Sequence, residues 1–172
     1  MSKLAVFALT LAFVWSSVAV AVRAEESSEK ESGELAEALE SVKVSLDDGL
    51  RASEAQGTPI SGKFEIEDEK LQLSVYTMKD DKFFEVIVDH KTGKVAKTEP
   101  IIGGDDLTAA KAQAEAMAKA KSSLHDVTNK AIAENSGSQA VSITPSLKDG
   151  RPVATVTLVK NDNFKTISSP LD

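Results

Sequence analysis

The chain has 172 residues, enough for one ordinary domain or two very small ones, and carries 20 Lys and Arg against 27 Asp and Glu. The excess of acid argues against nucleic acid as a partner, because proteins bind the phosphate backbone with basic side chains. Cysteine is absent, which excludes disulfides, thiolate metal sites and a cysteine nucleophile.

The first 24 residues have the parts of a secretory signal peptide. A short positive start precedes an apolar run from Leu4 to Val22, and Val22 and Ala24 supply small residues at the cleavage-recognition positions. Residues 1–24 are therefore predicted to be removed, leaving a periplasmic or secreted protein without stable membrane insertion. The alternative is an uncleaved anchor, since about 19 mostly apolar residues can just span a bilayer.

The acidity of the mature chain is confined to its first half. Loss of Lys3 and Arg23 leaves 18 basic against 27 acidic residues, a net charge of −9. Residues 25–103 hold 10 basic and 19 acidic side chains, whereas residues 104–172 hold 8 of each. Any function of the acidic charge therefore belongs to the first half.

The N-terminal part of the mature chain predicts a spacer and then a helix. Residues 25–33 contain no apolar residue and are predicted to be a disordered spacer. From residue 34, apolar residues at spacings of three and four define one helix face. They are Leu35, Leu39, Val42, Leu46 and Leu50. Gly57 and Pro59 close the helix, and Ser45 offers a cap at which a second helix could start.

Beyond Pro59 the apolar period changes to two, which is typical of strands. The alternating sets are Phe64 and Ile66, then Leu71, Leu73 and Val75, then Phe84, Val86 and Val88. Short polar links predict hairpins of an antiparallel meander. Gly93 is predicted to take a positive φ in a turn after Asp89, and residues 94–98 to return as a fourth strand.

The order of helix and then strands recurs in the second half. An Ala-rich stretch that opens with Asp105 and Asp106 predicts a helix or helix pair that ends near Gly137. Its part from Thr108 to Ala120 is predicted to be a closely packed scaffold helix. Residues 122–137 align with residues 44–57, with the pattern Ser-Leu-x-Asp in register.

Three strands follow in this second half. They are predicted at residues 141–143, 153–159 and 164–168, the last after a turn in which Asn163 is expected to have a positive φ. The predicted fold class is therefore α+β, with two repeats that each pack an N-terminal helix on a small antiparallel β-meander.

The first half resembles the PepSY domain family. VSLDDGLRASEAQG at residues 44–57 precedes paired strands, and FFEVIVDHKTGKVAKTEP at residues 83–100 is similar to the family's closing hairpin of Val-Asp, two or so residues and Thr-Gly-Lys-Val. The resemblance covers residues 34–101. Residues 102–172 are similar in layout but lack the Asp-x-x-Thr-Gly turn.

This resemblance implies an exported, non-catalytic binding or inhibitory module. PepSY domains occur in exported or membrane proteins, including propeptides of secreted metallopeptidases, which they are held to restrain. Others are stand-alone periplasmic proteins of unknown or metal-linked role.

The pair Asp89-His90 is predicted to belong to a turn rather than to a catalytic site. Neighbouring strand side chains point to opposite faces, so adjacency argues against a catalytic dyad. One other histidine, His125, lies on a predicted helix, and the sequence contains no phosphate-binding glycine loop, no His-Glu-x-x-His and no Gly-x-Ser-x-Gly. The protein is therefore predicted not to be an enzyme and to require no cofactor.

The first candidate binding site is one face of the third strand. Phe83, Glu85 and Ile87 share that face and would form a mixed apolar and acidic patch suited to a protein partner such as a peptidase. The alternative is that the other half of the molecule packs on this face, because single-layer halves need something to cover them.

The second candidate is a cation site at the acidic end of the first sheet. A meander brings the end of its first strand, the start of its second and the end of its third to one edge, which predicts a calcium or lanthanide site. Its residues are Glu67, Asp68, Glu69, Asp89 and His90. The alternative is a solvated rim, since no calcium-loop motif supplies the six to eight oxygens that calcium prefers.

Overall fold

The computed structural model describes residues 30–172, which form an α+β structure, as the sequence predicts. The α-helices are α1 (residues 30–39), α2 (Leu46–Ser53), α3 (Gly104–Lys119) and α4 (Leu124–Glu134). The strands are β1 (Thr58–Glu67), β2 (Lys70–Lys79), β3 (Lys82–Val88), β4 (Val95–Ile101), β5 (Gln139–Lys148), β6 (Arg151–Lys160) and β7 (Asn163–Pro170). The predicted signal peptide and residues 25–29 of the predicted spacer lie outside the described residues.

The seven strands form one antiparallel sheet in the order β4-β3-β2-β1-β5-β6-β7. The sheet is continuous because β1 pairs with β5, with Gly62 opposite Ile143 and Lys63 opposite Ser142. The sequence predicts two small meanders, and the structure joins them edge to edge. This pairing occupies the backbone donors and acceptors that two separate meanders would leave open on β1 and β5.

The first predicted helix is two helices, and it begins earlier than predicted. Residues 30–33, assigned from the sequence to a disordered spacer, belong to α1. Helix α2 starts at the cap that the sequence offers: Ser45 Oγ accepts a hydrogen bond from Asp48 N (3.1 Å), and Asp48 Oδ2 accepts one from Ser45 N (2.8 Å). This reciprocal capping favours a new helix start at residue 46.

Both faces of the sheet are covered in part by helices. On one face, Leu46 and Leu50 of α2 and Leu124 of α4 share a buried cluster with alternate strand residues, which include Leu73, Val75, Val86 and Val88. On the opposite face, Ala110 and Ala114 of α3 pack with Ile60 and Phe83. Small side chains let α3 approach the sheet closely, as predicted for a scaffold helix.

The hairpins use two-residue turns with a positive φ at both central positions, as primed turns require. These residues are Asp68 and Glu69, Asp80 and Asp81, Asp149 and Gly150, and Asn161 and Asp162. The prediction of a positive φ at Asn163 is wrong. Asn163 pairs with Lys160 and begins β7, so Asn161 and Asp162 make the turn.

The turn after β3 is a longer one, and Gly93 has the predicted positive φ, at 70°. Gly93 N donates a hydrogen bond to Asp89 O (2.8 Å), and Asp89 N donates to Lys94 O (2.8 Å). A Cβ atom on residue 93 would lie 3.1 Å from Val44 Cγ1. The position therefore favours glycine both for its backbone conformation and for its space.

Replacing Gly93 with Ala should lower the melting temperature. A positive φ costs a non-glycine residue about 1 to 2 kcal/mol, which corresponds to roughly 2 to 8 °C for a domain of this size. Gly150→Ala is the matched comparison, because Gly150 has a φ of 77° but a Cβ atom added there would have no neighbour within 4 Å. We expect Gly93→Ala to be the more destabilising variant in thermal unfolding; an equal or smaller loss would contradict the contact with Val44.

Candidate functional site

Helix α3 covers one residue of the predicted protein-binding patch and leaves the other two partly exposed. Phe83 is only 8% exposed because it packs against Ala110 and Ala114, so it is not available to a partner on this surface. Glu85 and Ile87 are half-buried farther along the same strand face. The second half of the molecule therefore covers Phe83, the alternative that the sequence leaves open.

The five residues of the predicted cation site do not gather at one point. Asp68 and Glu69 form the β1–β2 turn. Among residues 30–172, the group of three or more acidic or histidine side chains close enough to share an ion is Glu65, Glu67 and Glu85, whose carboxylate oxygens lie within 4.8 Å of one another. We call these three residues the acidic cluster. It lies on a sheet face rather than at the sheet's end, because alternate residues of β1 and β3 point to the same side.

Asp89 and His90 instead organise the turn after β3. The Asp89 carboxylate accepts hydrogen bonds from Thr92 N (2.8 Å) and Lys91 N (2.9 Å), and these bonds lower the pKa of that carboxyl. The His90 carbonyl accepts from Lys43 N (3.0 Å) and Val44 N (3.3 Å). These contacts agree with the turn role predicted for the pair.

Each member of the acidic cluster has a neighbour that can donate a hydrogen bond. Lys63 Nζ lies 2.5 Å from Glu65 Oε2, and Gln72 Nε2 donates to Glu67 Oε2 (2.8 Å). Tyr76 lies opposite Glu85 in the pairing of β2 with β3. Lys63 is the positively charged one of these three neighbours, and Lys97, which is paired with Glu99, also interacts through its charge with Glu85 and Glu67.

A small cavity lies beside the acidic cluster, between α3 and the sheet. Its volume is about 210 Å³, and its polar lining residues are Ser61, Lys63, Tyr76, Asp106, Gln113 and Thr144. Ser61 Oγ donates to Gln113 Oε1 (2.7 Å), and Lys63 Nζ lies 5.7 Å from the centroid of the Tyr76 ring. Lys63 and Tyr76 therefore belong to the cavity and contact the cluster as well.

The phenol of Tyr76 is perturbed by this setting. Burial raises its pKa, and the negative charges of Glu85, Glu65 and Asp106 raise it further, because each disfavours the tyrosinate anion. The raised pKa of Tyr76 is therefore a consequence first of the burial of its ring and then of the negative charges around it.

The sequence contains a weak signal for part of this site. Period-two alternation places Lys63, Glu65 and Glu67 on one face of β1, but it does not indicate that Glu85 lies across β2 from them. No local pattern places Gln113 of α3 over Ser61.

A second polar group, on the other face, has no counterpart among the predicted sites. His125 Nδ1 lies 2.6 Å from Asp47 Oδ1, and its Nε2 lies 2.9 Å from Glu54 Oε1. The sequence shows His125 on a helix, but its two partners precede it by more than 70 residues.

No family model and no curated protein matches the chain. Among solved structures, the chain is similar to a putative lipoprotein from Clostridium difficile 630, with 14% sequence identity and a TM-score of 0.44. The similarity covers 76% of this chain and 88% of that protein. A likeness at this level carries no argument about function. In the part of the chain from residue 30 onwards, no helix is long and apolar enough to cross a membrane.

The raised pKa of Tyr76 predicts how the protein responds to alkali. Tyr76 is the single tyrosine, and free tyrosine ionises near pH 10. A raised folded-state pKa stabilises the fold below about pH 10, and this contribution is lost as the pH rises further. We expect little tyrosinate absorbance at about pH 10.5 in the folded protein but strong absorbance in denaturant.

Removal of a nearby charge provides the control. Glu85→Gln should lower the pKa of Tyr76 in the folded protein, whereas Asp68→Asn, which removes a charge from the β1–β2 turn, should change it little. Coincident titration curves for folded and unfolded protein would contradict the described surroundings of Tyr76.

Proposed function

We propose that this protein is an exported, non-catalytic binding protein that takes a basic segment of a protein partner on the acidic cluster. The supporting observation is the approach of the three carboxylates of Glu65, Glu67 and Glu85 to within 4.8 Å on a sheet face. Like charges so close repel one another, and a cation placed among them relieves the repulsion. An arginine side chain suits such a site, because its planar guanidinium donates to two carboxylate oxygens at once.

The surroundings of the cluster favour a side chain over a metabolite. The adjacent cavity of about 210 Å³ is smaller than the roughly 300 to 1,000 Å³ of ordinary small-molecule sites. Ile87 is half-buried on the same strand face as Glu85 and adds apolar surface. A partner segment that combines a basic and an apolar residue would complement both features.

The contacts of the site also favour binding over catalysis. Ser61 Oγ donates to the amide oxygen of Gln113, which cannot serve as the general base that an active serine needs. The hydroxyl of Tyr76 is held protonated by its surroundings. The proposed function therefore uses the polar groups as ligand contacts.

We further propose that residues 34–101 and 102–172 are two PepSY-like repeats. Strands β5, β6 and β7 begin 81 residues after β1, β2 and β3, at residues 139, 151 and 163 against 58, 70 and 82. The register shifts in β1 and β5 fall after Pro59 and after Ala140, again 81 residues apart. Ser45 Oγ and Ser123 Oγ each accept a hydrogen bond from the backbone N–H of the aspartate three residues later, at the starts of α2 and α4. Such agreement supports duplication of one unit; a secreted peptidase as the partner is what the family resemblance implies.

Capture from the exported fraction tests the protein-binding function. The double variant Glu65→Gln with Glu85→Gln should lose a partner that the parent retains, because a basic segment loses two charge-assisted hydrogen bonds. The control is Asp68→Asn with Glu69→Gln, which removes equal charge from the neighbouring turn and should retain the partner. Quantitative mass spectrometry of the captured proteins measures both; equal loss in the two variants would mean that diffuse charge governs binding.

The same carboxylate geometry favours a second candidate function, the binding of a calcium or lanthanide ion. Three carboxylates within 4.8 Å can supply several of the oxygens that such an ion requires. Lys63 competes for Glu65, so an ion would have to displace its ammonium group. The turn residues Asp68, Glu69, Asp89 and His90 lie outside this group.

Thermal unfolding and luminescence test the metal-binding function. An ion present at 100 times its dissociation constant should stabilise the fold by about 2.7 kcal/mol, or roughly 5 to 11 °C in melting temperature. The measurement belongs in about 0.15 M sodium chloride, which screens diffuse repulsion. Terbium bound at the cluster should also show luminescence sensitised by Tyr76. Glu85→Gln should remove both signals and Asp68→Asn neither; a shift retained in Glu85→Gln would exclude the cluster as the site.

A further inference from the structure

His125 connects two helices that are distant in the sequence. It lies in the first turn of α4, and its ring nitrogens contact Asp47 of α2 and Glu54 of the short 3₁₀ turn that follows α2. The side chains of His125 and Asp47 are 17% and 14% exposed, whereas that of Glu54 is 55% exposed. The link is therefore screened from water at one end and open to it at the other.

This geometry requires a particular protonation state. An ionised carboxylate only accepts hydrogen bonds, and neutral imidazole has one N–H donor. Two carboxylates can both be satisfied only when both ring nitrogens carry protons. The arrangement with distances of 2.6 Å and 2.9 Å therefore corresponds to a positively charged His125.

The charges that face the ring support this assignment. Burial acts to raise the pKa of the Asp47 carboxyl, but hydrogen bonds and charge from His125 and Arg51 outweigh it, so the pKa is lowered. Arg51 Nε lies 3.0 Å from Asp47 Oδ2. Asp47 thus remains ionised through the neutral range. The side chains that α3 and β1 bring to this place, including Met117 and Pro59, carry no charge.

We propose that His125 is a proton-dependent link between α2 and α4 that releases Glu54 when the ring loses a proton. Histidine is the side chain that ordinarily changes charge between about pH 5 and 8. Glu54 is the carboxylate released, because it is the more exposed and has the longer contact, whereas Asp47 is also held by Arg51. The neutral ring keeps its one N–H directed to Asp47.

Release of Glu54 changes the entrance to a cavity on this face. His125 and Glu54 line a mostly apolar cavity of about 300 Å³, together with Pro59, Met117 and Leu124. At a pH below the transition, the contact between His125 and Glu54 holds the 3₁₀ turn against α4. Above it, the turn is freed and the cavity has an unpaired carboxylate at its rim.

The dependence of stability on pH tests the link. The bridge stabilises the fold at low pH and is lost as the pH rises, so the melting temperature of the parent should fall between pH 5 and 8 by roughly 2 to 6 °C more than that of His125→Gln. His90→Gln is the control and should behave as the parent does. Parallel curves for the parent and His125→Gln would overturn the proposal.

A second variant separates a proton-dependent link from a merely structural contact. Glu54→Gln places an amide at the same position, and an amide can donate to neutral imidazole or accept from the charged ring. The part of the pH dependence that comes from the contact with residue 54 should therefore disappear while that contact persists, whereas the part that comes from the pair of His125 and Asp47 should remain. In the parent, amide exchange at residues 54–58, corrected for its intrinsic rate, should quicken above the transition, and in Glu54→Gln it should not. Equal exchange in both proteins at pH 8 would contradict the release of Glu54, and this measurement holds even if His125→Gln fails to fold.

Discussion

The backbone pairing of β1 with β5 determines on which face of the sheet each helix lies. Gly62 and Ile143 lie opposite each other at this junction, and the chain between them includes three strands and both helices of the second half. Once the junction forms, α2 and α4 lie on one face, close enough for His125 to reach Asp47. The same junction sends α3 across the other face, where it covers Phe83.

The composition of α3 follows from that crossing. Ala110, Ala114 and Ala116 are buried, and their small side chains allow the helix to lie close to the strands. Because its side chains are short, α3 covers the region around Phe83 but not the acidic cluster, which lies beside the covered region. Binding at the cluster is therefore compatible with a fully formed core, because the core residues and the charged residues occupy different parts of the same face.

Local features of this fold could be predicted from the sequence, and long-range ones could not. Ser45 as a cap, the alternating strands and the positive φ of Gly93 all depend on interactions within a few residues, which the sequence pattern records directly. The error at Asn163 has a local origin too, since the hairpin register decides which two residues form the turn. The pairing of β1 with β5 leaves no local pattern, because its interactions are backbone hydrogen bonds that any sequence can make.

The candidate site shows the same limit at the level of side chains. Glu67 belongs both to the predicted cation site and to the acidic cluster. The other residues of the predicted site lie at the same end of the sheet but do not join the cluster. Asp89 is engaged by backbone N–H groups of its own turn, a demand that competes with ligand binding. Periodicity places Glu65 beside Glu67 on one face of β1, but Glu85 comes near them only because β1, β2 and β3 lie side by side in the sheet, which composition and periodicity do not reveal.

The pair of Asp47 and Glu54 and the acidic cluster differ in the positively charged side chain that lies beside them. Asp47 and Glu54 face the imidazole of His125, and Asp47 also faces Arg51, so in the proposed link the contact of Glu54 depends on the protonation of one ring. The acidic cluster is balanced in part by the ammonium group of Lys63. The proposed link between α2 and α4 therefore depends on the protonation of an imidazole, whereas the acidic cluster depends on the position of an ammonium group. A ligand of the cluster that binds through charge alone should then be insensitive to the state of His125, unless movement of the 3₁₀ turn is transmitted through β1, which begins directly after it.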